Sequence, residues 1–381
     1  MIALVLAAAL FGETEPVYYA YRRGGELGVA ELVVNRPGER FDSHRSLGAL
    51  PETAGVVAMR ATNDPPCAFV LLERSDTRNL LAVDPRAAPE ARAKLLSLAG
   101  APTAITSDSE AAFVAAGSAV VRVEADSRSV SERRELGAGS RVAALVCYDD
   151  EDLVLASVSS SGSTTKLVAI DEDDLEREFE LALPAALARC DLLAVSEELG
   201  YAVCGARGSA HLAIVDLEAA ADGESGAVRA SFEWRVPTSA MVTHSLCVAD
   251  GDRPLAFVFG ALADAGAAIE LRTAKIAARF DAPAGLESPC YHAKPRLVVS
   301  IGGGANRVTT LGVGKDSISE SHSIPLDAAP QLLVPVEPST CVQVVALGAD
   351  SLWLVRVDLE RVNAKESVLG LPLAAASPRE R

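Results

Sequence analysis

The sequence predicts an all-β protein, a β-propeller of four-stranded antiparallel blades, with eight blades favoured over seven. Three observations carry this expectation. An apolar run ending in an acidic or turn-forming residue recurs at a mean interval of about 47 residues, close to the period of a propeller blade. Two further apolar runs precede each of these marks, separated by turn residues. A fourth segment, mixing charged with apolar residues, follows several of them.

The marks are clearest at Asp84, Glu124, Asp171, Asp216 and Asp358, with weaker copies around Glu31, Thr273 and Gly312. Upstream of each lies the expected second strand: Val17–Tyr21, Ala68–Leu72, Ala111–Ala115, Leu153–Val158, Tyr201–Cys204, Leu255–Phe259, Leu297–Ile301 and Val342–Ala346. The expected innermost strands precede these: Ala3–Ala7, Gly55–Met59, Thr103–Thr106, Val142–Cys147, Leu192–Val195, Ser245–Val248, Pro289–His292 and Leu332–Val336. Gaps such as Asp250-Gly251-Asp252 supply residues that tolerate the positive φ of tight hairpins. Strands sandwiched between neighbouring blades bury both faces and read as continuous apolar runs. The outermost strand faces water, where charge discourages edge pairing. Ser129–Leu136, Arg177–Leu183, Ser317–Ile324 and Ala364–Leu371 have that mixed character.

One propeller over residues 1–375 is expected, in units 1–49, 50–99, 100–138, 139–185, 186–238, 239–286, 287–328 and 329–375, with a tail at 376–381. In this reading Met1–Ala7 is the innermost strand of the first unit. The alternative is that Met1–Phe11 is the core of a signal peptide, although no basic residue precedes it and no small-x-small cleavage pattern follows. The first reading makes the protein cytoplasmic, the second exported.

The pattern of four-stranded units ending in apolar-x-apolar-Asp resembles the WD40-like and YVTN-like propeller superfamilies across nearly the whole chain. The departures mark a divergent member. Trp234 and Trp353 are the only tryptophans and neither is followed by Asp, and none of the five histidines follows a Gly. The resemblance implies a rigid disc on which protein partners dock. Gly302-Gly303-Gly304 resembles the Gly-rich potassium loop of propeller exchange factors that activate a vesicle-coat GTPase, but turn chemistry favours a hairpin between two blade strands. Val83-Asp84-Pro85-Arg86 resembles the end of a cullin-adaptor box, without the aromatic that should precede the Asp.

The formal net charge of −17 argues against nucleic acid and against anionic membrane surfaces, and makes any charge-steered partner basic. Seven scattered cysteines without a Cys-x-x-Cys pair indicate free thiols in a reducing compartment. The runs Asp149–Asp152 and Asp171–Asp174 lack the alternating acids and central Gly of a calcium loop and read as solvated turns. His244 and His292 fall at or beside the expected innermost strands of successive blades, with Cys247 and Cys290 nearby, which makes these four the candidates for a channel site of His/Cys type. No nucleophile elbow and no HExxH are present. The expected function is therefore a non-catalytic protein-interaction scaffold with no cofactor and no assigned catalytic or metal residue. A lactonase- or hydrolase-like propeller enzyme and an exported binding protein are the alternatives.

Overall fold

The structure, a computed structural model, describes residues 16–23, 26–33, 43–50, 55–74, 77–88, 90–100, 102–160, 165–235, 242–262, 265–293, 296–302, 306–314, 318–326, 329–336, 341–347, 351–359 and 365–372, and of residues 16–59 only the backbone course. Among them lie seven four-stranded sheets and one three-stranded sheet, each an antiparallel meander in chain order.

Blade 1 contributes Pro16–Arg23, Glu26–Val33 and Ser43–Leu50. The innermost strand expected at Ala3–Ala7 lies outside the described residues. Blade 2 runs Gly55–Asn63, Pro66–Arg74, Thr77–Val83 and Ala93–Ser97. Blade 3 runs Pro102–Ser107, Ala111–Ala116, Ala119–Glu124 and Ser129–Glu135. Blade 4 runs Ser140–Tyr148, Leu153–Ser160, Lys166–Asp171 and Arg177–Ala182. Blade 5 runs Leu192–Ser196, Tyr201–Gly205, His211–Asp216 and Val228–Glu233. Blade 6 runs Thr243–Ala249, Leu255–Gly260, Gly266–Glu270 and Lys275–Phe280. Blade 7 runs Leu286–His292, Leu297–Gly302, Arg307–Val313 and Ile318–Pro325. Blade 8 runs Ala329–Val336, Cys341–Leu347, Ser351–Asp358 and Lys365–Pro372.

The acidic marks have a local cause. The Asp84 carboxylate accepts the Arg86 N–H at 2.8 Å, Asp171 accepts those of Asp173 and Asp174, and Asp216 accepts that of Ala219 at the start of the short helix Leu217–Ala221. Each acid closes the turn that carries the third strand into the fourth. In blade 6 the third strand ends at Glu270, not near Thr273. Leu271 is fully buried although it already lies in the turn, so the apolar run outlasts the strand.

The core lies between blades. One apolar cluster joins blades 2 and 3, and others join 3 to 4, 4 to 5, 5 to 6, 6 to 7 and 7 to 8. Ala111–Ala116 shows why these strands carry no polar face: Ala112, Val114 and Ala116 pack toward blade 2, while Ala111, Phe113 and Ala115 pack toward blade 4. Hydroxyls tie the same seams. Thr103 donates to the Val142 carbonyl at 2.6 Å, Ser107 to Ala61 at 2.9 Å and Ser245 to Leu286 at 2.6 Å. Each such bond contributes about 1 kcal/mol net. Charged outer strands stay in water, Val130–Glu135 being exposed throughout.

The innermost strands of blades 2 to 8 pack side by side in chain order. Near its start, each innermost strand in blades 2, 3, 4, 6, 7 and 8 slips register against its neighbour. Such bulges leave an extra residue that can be aimed away from the pleat. Thr103, Ala143, Ser288 and Pro289 sit at these slips and line the central channel. No helix among the described residues is long and apolar enough to cross a membrane.

Candidate functional site

The channel holds a cavity of about 640 Å³ lined by the innermost strands of blades 2 to 7. Its walls are apolar at Ala104, Leu145, Leu193 and Leu246, and its charged groups are Arg60, Arg141, Arg189, Arg207 and Asp191. Strand direction places the last four near the mouth formed by the links between blades and the turns between second and third strands. Arg60 sits beyond the middle of its strand and so lies deeper. It keeps contact with channel water, but burial lowers its guanidinium pKa, opposed by the neighbouring Cys147 thiol.

Asp191 organises the mouth. Its carboxylate accepts the Arg207 N–H at 2.8 Å and lies 3.6 Å from the Arg189 Nε, while Arg189 also donates to the Arg207 carbonyl at 2.5 Å. Arg189 is thereby held by structural contacts. The exposed guanidinium groups of Arg141 and Arg207 have no ion pair or hydrogen bond among the described residues. In a chain of net charge −17, this rim is a local concentration of positive charge. Arginine presents a planar fork of donors matched to carboxylate and phosphate oxygens.

The opposite end of the channel is acidic. Asp108, Asp149, Glu172, Glu197 and Asp250 stand in its turns. Burial, reinforced by Asp108 and Asp149, pushes Glu172 up to about 8, and burial pushes Glu197 up to about 7 against the opposing Asp150 N–H. Asp149 and Asp250 are raised in the same direction, again chiefly by burial. Asp250 accepts hydrogen bonds from the Ser196 hydroxyl and the Glu197 N–H.

Glu197 gives a pH prediction. Its folded-state pKa lies above the ordinary value of 4.5, so the folded protein holds this proton more tightly than the unfolded chain. The resulting stability is fully present below pH 4.5 and is lost as pH rises to about 7. Glu197→Gln is expected to raise stability by about 1–2 kcal/mol at pH 8, after allowance for solvent screening, and to bring no such gain at pH 4.5. Thermal melts of both proteins at the two pH values check this, and an equal shift at both would contradict it.

The four candidates read from the sequence lie on the innermost strands of blades 6 and 7; the Cys247 and Cys290 thiols are near enough to act electrostatically on each other, but the two histidines are set apart. His244, near the start of its strand, has Nε2 3.9 Å from the Glu287 Oε1. His292 is fully buried at the far end of the next strand, five residues beyond Glu287. At about 3.3 Å per residue, His292 stands roughly 15 Å along the strand from the residue that His244 meets. Cys247 and Cys290 are free thiols; burial pushes the first well above its usual range and the second to about 12. Among the described residues, none of the four belongs to a group of three metal-ligating side chains.

The sequence reading missed the arginine rim. Arg60 carried a signal, being a charge inside an otherwise apolar innermost run. Arg189 and Arg207 lie in turns, where an arginine attracts no notice.

No protein-family model matches this chain, and no curated protein matches it by sequence. Solved structures do match. A chain in the crystal structure of the mitotic checkpoint complex aligns with a TM-score of 0.56 at 13% identity, covering 82% of this chain and 94% of that one. The dihydro-heme d1 dehydrogenase NirN in complex with DHE aligns with a TM-score of 0.66 at 14% identity, covering 93% of this chain and 72% of that one. Likeness at such identities concerns the fold alone. With the repeated four-stranded meanders, it makes this chain a β-propeller.

Proposed function

We propose that the protein is a non-catalytic binding propeller whose channel mouth receives an anionic group. The observation that carries this reading is the pair of guanidinium groups of Arg141 and Arg207, unpaired among the described residues, above Arg60 around a cavity of about 640 Å³. That volume is within the range of small-ligand sites, roughly 300–1,000 Å³. Arginine holds anions without exchanging protons at ordinary pH, which supports binding over acid–base chemistry. The net charge alone favours a basic partner, whereas the channel favours carboxylate or phosphate oxygens at its mouth, and the proposal follows the channel.

Isothermal titration at low ionic strength tests it, with citrate and pyrophosphate as free anions and an oligoglutamate peptide as a model for a partner's acidic segment. Binding is expected in at least one arm, weakening as salt is added. Arg141→Ala and Arg207→Ala are each expected to reduce affinity about tenfold or more, since a hydrogen bond to a charged group contributes about 1.5–3 kcal/mol. Preference for the peptide would identify a protein partner, and preference for citrate or pyrophosphate a small molecule. Binding that is indifferent to both substitutions, no binding in any arm, or turnover of a bound compound would overturn the proposal.

A further inference from the structure

A second cluster, independent of the arginine rim, stands at the acidic end of blade 4. Cys147 is the penultimate residue of the innermost strand, Asp149 begins the 3-10 turn Asp149–Glu151, and Glu172 follows the strand Lys166–Asp171. One ligand atom from each lies within 4.8 Å of the other two. Cys147 and Glu172 are buried, while Asp149 is exposed and leaves a path to solvent.

Glu172 points to a ligand. The residue is 8% exposed, and its Oε1 is buried with no hydrogen-bond partner. An orphaned carboxylate oxygen facing another carboxylate and a thiol is costly unless a proton or a metal cation joins them. The loop is also held in place. The Glu172 N–H donates to the Asp152 carbonyl at 2.9 Å, Asp171 fixes the turn behind it, and the Thr106 hydroxyl donates to the Cys147 sulfur at 3.5 Å.

We propose that Cys147, Asp149 and Glu172 bind a divalent transition-metal ion of zinc type. The donor set selects the metal. Calcium and magnesium take oxygen ligands in six- to eight-fold shells, whereas zinc and cobalt accept a thiolate with carboxylates in a four-coordinate site. Tetrahedral bonds of about 2.0–2.3 Å place ligand atoms roughly 3.3–3.6 Å apart. The cluster therefore closes on a metal by small side-chain rotations of Asp149 and Glu172. Asp108 of blade 3, which acts electrostatically on Cys147 and Glu172, or a water completes the shell. Binding replaces the thiol S–H bond with a sulfur–metal bond and releases that proton to solvent, together with the proton that the Glu172 carboxyl carries. Arg60, approaching from the channel side, offsets part of the cluster's negative charge.

Cobalt titration of the chelator-treated protein tests the site. One equivalent of Co²⁺ is expected to give a sulfur-to-metal charge-transfer band, and Zn²⁺ to displace it and raise the melting temperature. Cys147→Ser should abolish the band, and Glu172→Gln should weaken Co²⁺ binding by more than about a hundredfold, since even outer partners of metal ligands cost 10–100-fold. The other cysteines remain in both variants, so a band that survives Cys147→Ser overturns the assignment. So does equal stabilisation by Ca²⁺ or Mg²⁺, or no response to any of these ions. Each variant is first melted without metal, and a variant that melts below wild type is replaced by Asp149→Asn, which changes the most exposed of the three ligands and should weaken Co²⁺ binding at least about tenfold, unchanged affinity overturning the assignment.

Discussion

Phe113→Ala is expected to destabilise the protein by about 3–5 kcal/mol, read as a fall in the urea midpoint. Phe113 is fully buried in the cluster that joins blades 3 and 4, where it packs with residues such as Val142, Val154 and Val168. Truncation loses the transfer energy of the ring and leaves a cavity that its own strand cannot shift to fill, because that backbone is held by hydrogen bonds on both sides. In an array of this kind, stability is carried by nearest-neighbour interfaces, so damage to one seam weakens the cooperative unit as a whole. The matched control is Val130→Ala on the outer strand of the same blade. That side chain is 42% exposed, and its truncation is expected to change stability by less than about 0.5 kcal/mol. Comparable losses for the two would show that the seams between blades do not hold the molecule together.

The same contrast explains what was legible in the sequence. Ala111–Ala116 reads as an inner strand because both of its faces meet other blades, so no polar residue interrupts it. Ser129–Glu135 reads as an outer strand because water covers it. The terminal acids were legible as a period, and the hydrogen bonds of Asp84, Asp171 and Asp216 supply the reason for it. Where burial and strand part company, as at Leu271, the pattern misplaces the strand end.

The candidate sites were far less legible, for a different reason. Asp149 and Glu172 each belong to a run of acids that reads as solvated, and most of those acids are exposed. What singles these two out is the pairing of Leu153 with both Tyr148 and Asp171, which sets the first hairpin's turn beside the turn that ends the third strand. A separation of 23 residues in sequence carries no trace of that meeting. The channel arginines depend even more on assembly, since Arg60, Arg141 and Arg207 come from three different blades. His244 and His292 illustrate the converse. Sharing the innermost layer is a property of sequence period, but height along the channel is a property of register, and register separates them.

Gly266→Ala is expected to cost about 1–3 kcal/mol, a large effect for one added methyl group. Gly266 opens the third strand of blade 6 and pairs with Phe259 on one side and Phe280 on the other. The Phe280 ring lies across the glycine: a Cβ there would stand 2.3 Å from its Cε2 and 2.8 Å from the Val258 carbonyl oxygen. The ring also meets Phe259 edge-on at 5.7 Å and Phe257 at 6.1 Å, so it cannot swing aside without losing contacts in the seam between blades 6 and 7. Phe280→Ala removes the ring but not the carbonyl. A double-mutant cycle should therefore show the cost of Gly266→Ala falling by at least about 1 kcal/mol in the Phe280→Ala background, with a remainder owed to Val258. Strict additivity would mean that the ring does not rest on the glycine, and that the close approach is relieved at no cost by its neighbours.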